Sequence, residues 1–232
     1  MPKNWSKGQT KYTNSSVKKI SDTMKQRKID NFKEWRDKMK AEGKIKSKYL
    51  PLKKDGNLAE LIGVILGDGH IRIYPRTEEL SIFSNSNNPG FVNRYSILVE
   101  NIFDKKPATN QHSTENCIRI RIYQKHISDR LGIPFSPRGN LNISIPDWII
   151  SNKKYIVRYL RGLYEAEGSH SIHKATYTYK VQFSNRNLSL LNNVFKLVTK
   201  LGFHPHRSKD MIQLSRKEEV LNFIELIQFR KY

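Results

Sequence analysis

Two acids carry the strongest chemical signal in this chain: Asp68, in LAELIGVILGDGH (58–70), and Glu167, in RYLRGLYEAEGSH (158–170). Each ends an apolar run and is followed at once by glycine, Gly69 or Gly168. Two carboxylates delivered to one point repel, and one takes up a proton unless a cation sits between them. Oxygen ligands of this kind suit Mg²⁺, which combines a few carboxylates with waters and phosphate oxygens. If the two ends meet, they make a candidate metal site for phosphodiester hydrolysis. The same letters also suit two ordinary core helices with acids near their ends, and spacing alone does not separate the two.

The elements that must position these acids come next. Alone, the first copy is ambiguous, because Ile62, Val64 and Ile65 are β-branched and VILGDG would suit a buried strand entering a glycine turn. The second copy decides for helix. Ile156, Tyr159, Leu160, Leu163 and Tyr164 recur at helical spacing, while Arg158, Arg161 and Glu165 fall elsewhere around the wheel. Both stretches are expected to be helices of about ten residues. They should stop at a glycine able to adopt the left-handed conformation. Small residues recur four apart in each, Gly63 and Gly67, then Gly162 and Ala166. Such helices can pack with their axes unusually close, and if they pack in parallel, Asp68 and Glu167 emerge side by side.

These two stretches resemble the paired motif of the LAGLIDADG homing endonucleases, in the single-chain form that carries two copies. Gly63-Val64-Ile65-Leu66-Gly67-Asp68-Gly69 and Gly162-Leu163-Tyr164-Glu165-Ala166-Glu167-Gly168 sit on the motif's G-L-I-D-A-D-G. Leu66 stands where the motif often has an acid, at a position that is not the metal ligand. The resemblance covers residues 55–232 and implies an α+β fold. Two αββαββα repeats would be related by a pseudo-two-fold axis, their antiparallel sheets forming a saddle over duplex DNA.

The bulk properties bound the function. At 232 residues the chain can bury a real core, and its 37% hydrophobic content suggests that part of it lies outside that core. A formal net charge of +21 calls for a polyanion, nucleic acid by default, although a basic protein of the ribosomal kind also fits charge alone. One cysteine, Cys117, excludes an internal disulfide framework or a multi-cysteine zinc site, and it reads as a small core residue. The opening MPKNWSKGQT has no apolar signal region, and no window approaches the roughly 18 apolar residues of a membrane span. The expectation is a soluble intracellular monomer acting as a pseudo-dimer. No histidine pair has zinc-site spacing, so His70, His170, His204 and His206 read as solvated or phosphate-contacting.

Three segments are expected. Residues 1–54 form a lysine-rich arm in which Ser15 or Ser16 caps a helix running to about Ala41 and closed by Gly43. Its apolar stripe slips phase between Met24 and Ile29, which predicts a broken helix. Its WSKGQT opening resembles short DNA-binding modules attached to some intron-encoded nucleases, and a solvated tail is the alternative. Residues 55–150 hold the first repeat with a linker, and 151–232 the second. After each acid comes a hairpin, a helix, another hairpin and a helix. IFSNSNNPGFVNRYSILVENIF is echoed by VQFSNRNLSLLNNVFKLVTKLGF, with Phe83-Ser84-Asn85 on Phe183-Ser184-Asn185. The cleanest strand is Cys117–Tyr123, whose isoleucines point one way and Arg119, Arg121 and Tyr123 the other.

The resemblance implies a site-specific double-strand DNA endonuclease that leaves short 3′ overhangs and acts on a long target. Asp68 and Glu167, with Gly67 and Ala166 before them, would hold Mg²⁺ or Mn²⁺ ions that activate a water and stabilise the leaving 3′ oxygen. The family's GIP…IPxW segment, here LGIPFSPRGNLNISIPDWI, often bears a basic catalytic residue. That role passes to Arg138, with Arg230 or Lys231 as its C-terminal counterpart. The groove face is assigned to Arg72, Tyr74, Arg119, Arg121, Tyr123, Lys180, Gln182 and Gln213, since arginine and glutamine pair bidentately with guanine and adenine. Two rivals share this fold, an intron-splicing RNA maturase and a DNA-binding regulator without cleavage. The retained acids count against the first as a sole role and against the second outright. An intein is not expected, because the chain neither begins with Cys or Ser nor ends in His-Asn.

Overall fold

Glycines set how closely the two motif helices approach in the computed structural model of the chain. The structure describes residues 7–44, 48–111, 116–135, 139 and 141–232. The chain divides into two compact units, Met1–Tyr49 and Leu50–Tyr232.

In the larger unit α3 spans Gly56–Asp68 and α7 spans Lys153–Glu167. Asp55 caps the first by accepting from the backbone N–H of Asn57 (2.9 Å) and Leu58 (3.0 Å). Asn152 caps the second by accepting from Lys154 N (2.9 Å). Side-chain oxygens at these positions satisfy donors that the first helical turn leaves unpaired. A Cβ built on Gly63 would sit 2.3 Å from the Tyr159 carbonyl, and one on Gly162 would sit 2.1 Å from the Glu60 carbonyl. At the far end a Cβ on Gly67 would meet the Ala166 Cβ at 2.4 Å. Gly56 faces Arg158, Gly63 faces Gly162 and Gly67 faces Ala166, so the helices run parallel. Backbone meets backbone because no side chain intervenes. Every residue of α3 from Leu58 to Leu66 is buried.

Gly69 and Gly168 end these helices, as expected, but not in the left-handed conformation. Their φ values are −92° and −90°, in the extended region, and the chain enters a strand directly. Glycine is needed there for space. A Cβ on Gly69 would lie 2.5 Å from Ile65 Cα, and one on Gly168 would lie 2.3 Å from the Tyr164 carbonyl. The helices are also longer than expected, at 13 and 15 residues.

Each acid is followed by a four-stranded antiparallel sheet of identical topology. The first contains β1 (Gly69–Tyr74), β2 (Thr77–Asn85), β3 (Ala108–Gln111) and β4 (Cys117–Gln124), in the order β1-β2-β4-β3. The second contains β5 (Gly168–His173), β6 (Thr178–Ser184), β7 (His206–Arg207) and β8 (Met211–Leu214), in the order β5-β6-β8-β7. The helices α4 (Pro89–Phe103) and α8 (Leu188–Lys200) connect the hairpins, capped by Asn88 and Asn187. The first repeat then closes with the short α5 (Ile127–Leu131), α6 (Asp147–Ile150) leads into α7, and the second repeat closes with the longer α9 (Lys217–Ile227). Ile71, Leu80, Ile82, Ile120 and Ile122 fill the closed face of the first sheet, and Val181, Phe183, Ile212 and Leu214 that of the second. The α+β fold of two αββαββα repeats is therefore present as expected. Cys117 departs from its expected core place. It is half-buried and shares the strand face of Arg119 and Arg121, because Ile118, Ile120 and Ile122 take the other.

A buried ionic cluster ties the halves together at the start of the helix pair. Glu60 has no exposure, and it accepts two bonds from Arg94 (2.6 and 2.8 Å) and one from Arg158 (2.5 Å). Arg161, itself buried, approaches Glu60 at 3.6 Å and Glu165 at 3.9 Å. Burial pushes the Glu165 carboxyl above the usual range, against the bonds from Tyr232 and the Arg230 backbone that favour its charge. Tyr232 donates to Glu165 and its ring fills the space over Gly90 of α4, so the second repeat's C-terminus packs on the first.

The smaller unit holds α1 (Ser15–Gln26) and α2 (Lys33–Ala41). The break between them falls where the apolar stripe slips. Its cap is Asn14, not either serine, accepting from Ser16 N (2.9 Å) and Val17 N (3.1 Å). Neither helix buries a residue, and Phe32 and Trp35 are 67% and 55% exposed.

Two stability outcomes follow from the helix pair. Gly63→Ala and Gly162→Ala each lose about 2 kcal/mol or more in urea melts. The backbone clash outweighs the roughly 1 kcal/mol that alanine adds to a helix interior. Glu60→Ala loses about 3 kcal/mol, because a buried Arg161 is left without its main carboxylate neighbour.

Candidate functional site

The parallel packing delivers both acids to one end of the unit. A Cβ on Gly67 would lie 3.0 Å from the Cγ of Glu167 as well as against Ala166, so the last turns of α3 and α7 touch where Asp68 and Glu167 leave them. Gly67, Ala166, Asp68 and Glu167, the four residues expected at a metal position, are thus adjacent. Two carboxylates with neighbouring main-chain carbonyls form an all-oxygen donor set, which fits a hard divalent cation and not zinc. Among the described residues no group of three or more His, Cys, Asp and Glu could hold a metal, so an ion here would draw on the two carboxylates together with main-chain, water or phosphate oxygens.

Around the second acid the structure adds partners. Asn185 donates from Nδ2 to Glu167 Oε1 (3.3 Å), while its Oδ1 accepts from Asn187 N (2.9 Å). One side chain thereby turns β6 into α8 and holds the carboxylate. Sequence reasoning noted the repeated Phe-Ser-Asn but assigned Asn185 no role; the repetition was the available signal. Arg230, just beyond α9, donates from Nη2 to the carbonyl of Gly168 (3.3 Å), the residue directly after Glu167. Its guanidinium also lies over the Phe229 ring, 5.0 Å from the centroid. Lys231 turns instead to Glu225 on α9. Arg138 lies outside the described residues.

The strand register sorts the remaining candidates. Cross-strand partners share a face, so the register Arg72↔Glu79↔Tyr123, Ser81↔Arg121 and Phe83↔Arg119 puts Arg72, Tyr74, Arg119, Arg121 and Tyr123 together on the open face of the first sheet. On the second sheet Ser171↔Lys180 and Gln182↔Gln213 put Lys180, Gln182 and Gln213 on one open face. The two glutamines are bonded to each other, Gln182 Nε2 donating to Gln213 Oε1 (2.7 Å).

Strand β2 adds residues that were not expected. Glu79, Ser81 and Phe83 alternate with buried Leu80 and Ile82 and so belong to the open face. Glu79 is nonetheless only 6% exposed. It accepts from Tyr74 Oη (2.9 Å) and Ser81 Oγ (2.8 Å), faces Tyr123 across the register, and has Arg119 at 3.6 Å. Burial pushes its carboxyl up, but the hydroxyl bonds and the Arg119 charge together leave it below the ordinary range. His204 pairs with Glu219 (2.8 Å), and His170 packs edge-on against Phe229. No described helix is long and apolar enough to cross a membrane.

Comparison with known proteins gives a consistent picture. A family model for the LAGLIDADG-like domain matches residues 154–232. A structure of I-DmoI in complex with DNA and Mn superposes with a TM-score of 0.52 at 18% identity, covering 74% of this chain and 96% of that one. An I-DmoI variant with its target DNA in the presence of Mg gives 0.50 at 17% identity, covering 75% and 96%. The N-terminal LAGLIDADG domain of DUF199/WhiA gives 0.52 at 14% identity, covering 76% and 83%. At these identities the likeness establishes the fold. No curated relative matches the sequence significantly.

The convergent acids predict a cation-dependent melt. A divalent ion at about a hundredfold its dissociation constant adds about 2.7 kcal/mol to the chain's stability. That increment disappears in the Asp68→Asn, Glu167→Gln double variant, as read by thermal unfolding with Mg²⁺ against chelator.

Proposed function

We propose that this chain, which belongs to the LAGLIDADG family, is a site-specific endonuclease that cuts both strands of duplex DNA with divalent metal ions. One observation supports the reading: two parallel helices touch at their last turns, where Asp68 and Glu167 stand, and each acid opens directly into a sheet with an exposed polar face. A binding protein needs the sheets but has no use for a paired carboxylate at their junction.

The acids act as the ligands of the divalent ions, with the main chain of Gly67 and Ala166 beside them. When bound, such ions lower the pKa of an attacking water and stabilise the departing 3′ oxygen. Asn185 fixes the orientation of the Glu167 carboxylate, so that it meets the ion without reorganising. Arg230, held at the Gly168 carbonyl, places a permanent positive charge beside the second acid, where a phosphate in transit accumulates negative charge. Arg138 is the proposed counterpart in the first repeat.

The sheets supply recognition. Arg72, Arg119 and Arg121 present forked donors suited to guanine N7 and O6, and Lys180 presents a point charge for phosphate. The bonded Gln182–Gln213 pair leaves one amide carbonyl and one amide nitrogen pointing onward, a donor–acceptor couple suited to adenine. The first half is therefore the more cationic reader and the second the more neutral one, which matches an asymmetric target. Residues 1–54 add a third element, a basic arm whose exposed Phe32 and Trp35 lie among lysines, and whose role is to lengthen contact with the DNA backbone.

The test uses a randomised duplex library with Mg²⁺, followed by sequencing of the cut ends. The full chain yields one defined cut on each strand. Asp68→Asn or Glu167→Gln abolishes cutting while duplex affinity stays within a few fold, and a cut that survives either change removes these acids from catalysis. Arg121→Ala weakens binding by about 1–3 kcal/mol if it reads a base. If it contacts a phosphate instead, the variant lowers the log–log salt slope by about 0.9.

A further inference from the structure

Glu79 is an acid at the centre of a face that, under the proposed function, meets a polyanion. Its burial explains how it is tolerated there. The phenols of Tyr74 and Tyr123 close over it with ring centroids 6.1 Å apart and planes tilted by 55°. Arg72 stands over the Tyr74 ring at 5.1 Å and Arg121 over the Tyr123 ring at 5.2 Å. The result is one cluster, guanidinium, phenol, phenol, guanidinium, built over a single carboxylate.

The hydroxyl protons decide what this cluster can read. A phenol carries one proton and its oxygen keeps lone pairs. An ionised carboxylate only accepts, so any hydroxyl bonded to it must donate. Tyr74 donates to Oε2 and Ser81 to Oε1, and the Tyr123 hydroxyl, across the register from Glu79, turns its proton toward the same carboxylate. The hydroxyl bonds and the Arg119 charge keep Glu79 ionised at neutral pH in spite of its burial. Both phenols therefore face outward with lone pairs and no proton to give.

We infer that the Tyr74–Glu79–Tyr123 cluster is a base-discriminating element whose two phenol oxygens accept from an exocyclic amino group in the major groove, cytosine N4 or adenine N6, and turn away guanine O6 and thymine O4. The flanking arginines have the opposite demand, because they only donate and seek guanine or thymine acceptors. A cytosine–guanine pair with cytosine on the tyrosine side satisfies both, and an adenine–thymine pair with adenine there is the other solution. Glu79 is a positioning residue in this scheme, since it acts through the phenols and touches no base.

The inference rests on the endonuclease reading, and the experiment separates the two. Cut-site profiles from the randomised library are compared for the full chain and for its Tyr74→Phe, Tyr123→Phe and Glu79→Gln variants. In the unmodified chain one or two positions of the first half-site admit only cytosine or adenine, and the profile itself tells which. Each phenylalanine variant flattens its position by about fivefold to tenfold, the loss of one hydrogen bond, and leaves the other positions unchanged. Glu79→Gln gives a readout that mere loosening would not. Its amide nitrogen donates to one phenol, whose proton then turns outward, so guanine or thymine gains acceptance there. If Glu79→Gln fails to fold, the two phenylalanine variants, which retain the carboxylate, still decide. Profiles identical to the unmodified chain's in both phenylalanine variants, or a preference for guanine or thymine at the affected positions, overturn the inference while leaving the nuclease intact. A full chain that neither binds nor cuts any duplex overturns both.

Discussion

The approach of two backbones at Gly63 and Gly162 is the constraint on which everything else depends. Close-packed helices normally keep side chains between them, with axes some 8–10 Å apart. Here a single added carbon would strike a carbonyl at 2.1–2.3 Å on either side. That intimacy makes the helix pair a rigid axis, and the acid at the end of each helix inherits its position from the axis and not from a loop. A site held this way satisfies the demand of in-line phosphoryl chemistry for ligands placed within a fraction of an ångström.

The two ends of the axis carry opposite chemistry. At the start, Glu60 is enclosed by Arg94, Arg158 and Arg161, a buried cluster in which cations outnumber acids and hydrogen bonds offset desolvation. At the finish Asp68 and Glu167 stand on adjoining last turns, and their oxygens suit a metal. Charge of one sign closes the structural end and charge of the other opens the proposed reactive end. The C-terminal Arg230–Tyr232 segment links them, with Tyr232 against Gly90 and Glu165 and Arg230 beside the second acid.

The sheets show how two repeats of one topology can present different surfaces. Their topologies coincide, yet the first open face concentrates arginine and tyrosine around a covered glutamate, while the second offers paired glutamines and a lysine. A shared scaffold thus holds two surfaces of different polarity, and the surfaces carry the proposed specificity.

What the sequence by itself determined is whatever depends on local pattern. The doubled motif located the helices, the alternation in 117–123 assigned Arg119 and Arg121 to one face, and the phase slip after Met24 marked the break between α1 and α2. These are short-range properties, set by side-chain periodicity of two or 3.6 residues. Tertiary structure alone decided the rest. That Gly69 and Gly168 are needed for room and not for a left-handed turn depends on what lies against them, as does the placement of Glu167 by Asn185 from the turn after β6. Cys117, placed in the core for its size, was by contrast legible, because the alternation that assigns Arg119 and Arg121 to one face puts it there too. Glu79 was invisible as a hub because its partners come from β1, β2 and β4, and a residue's hydrogen-bond company across a sheet is written in the register, which no single strand contains.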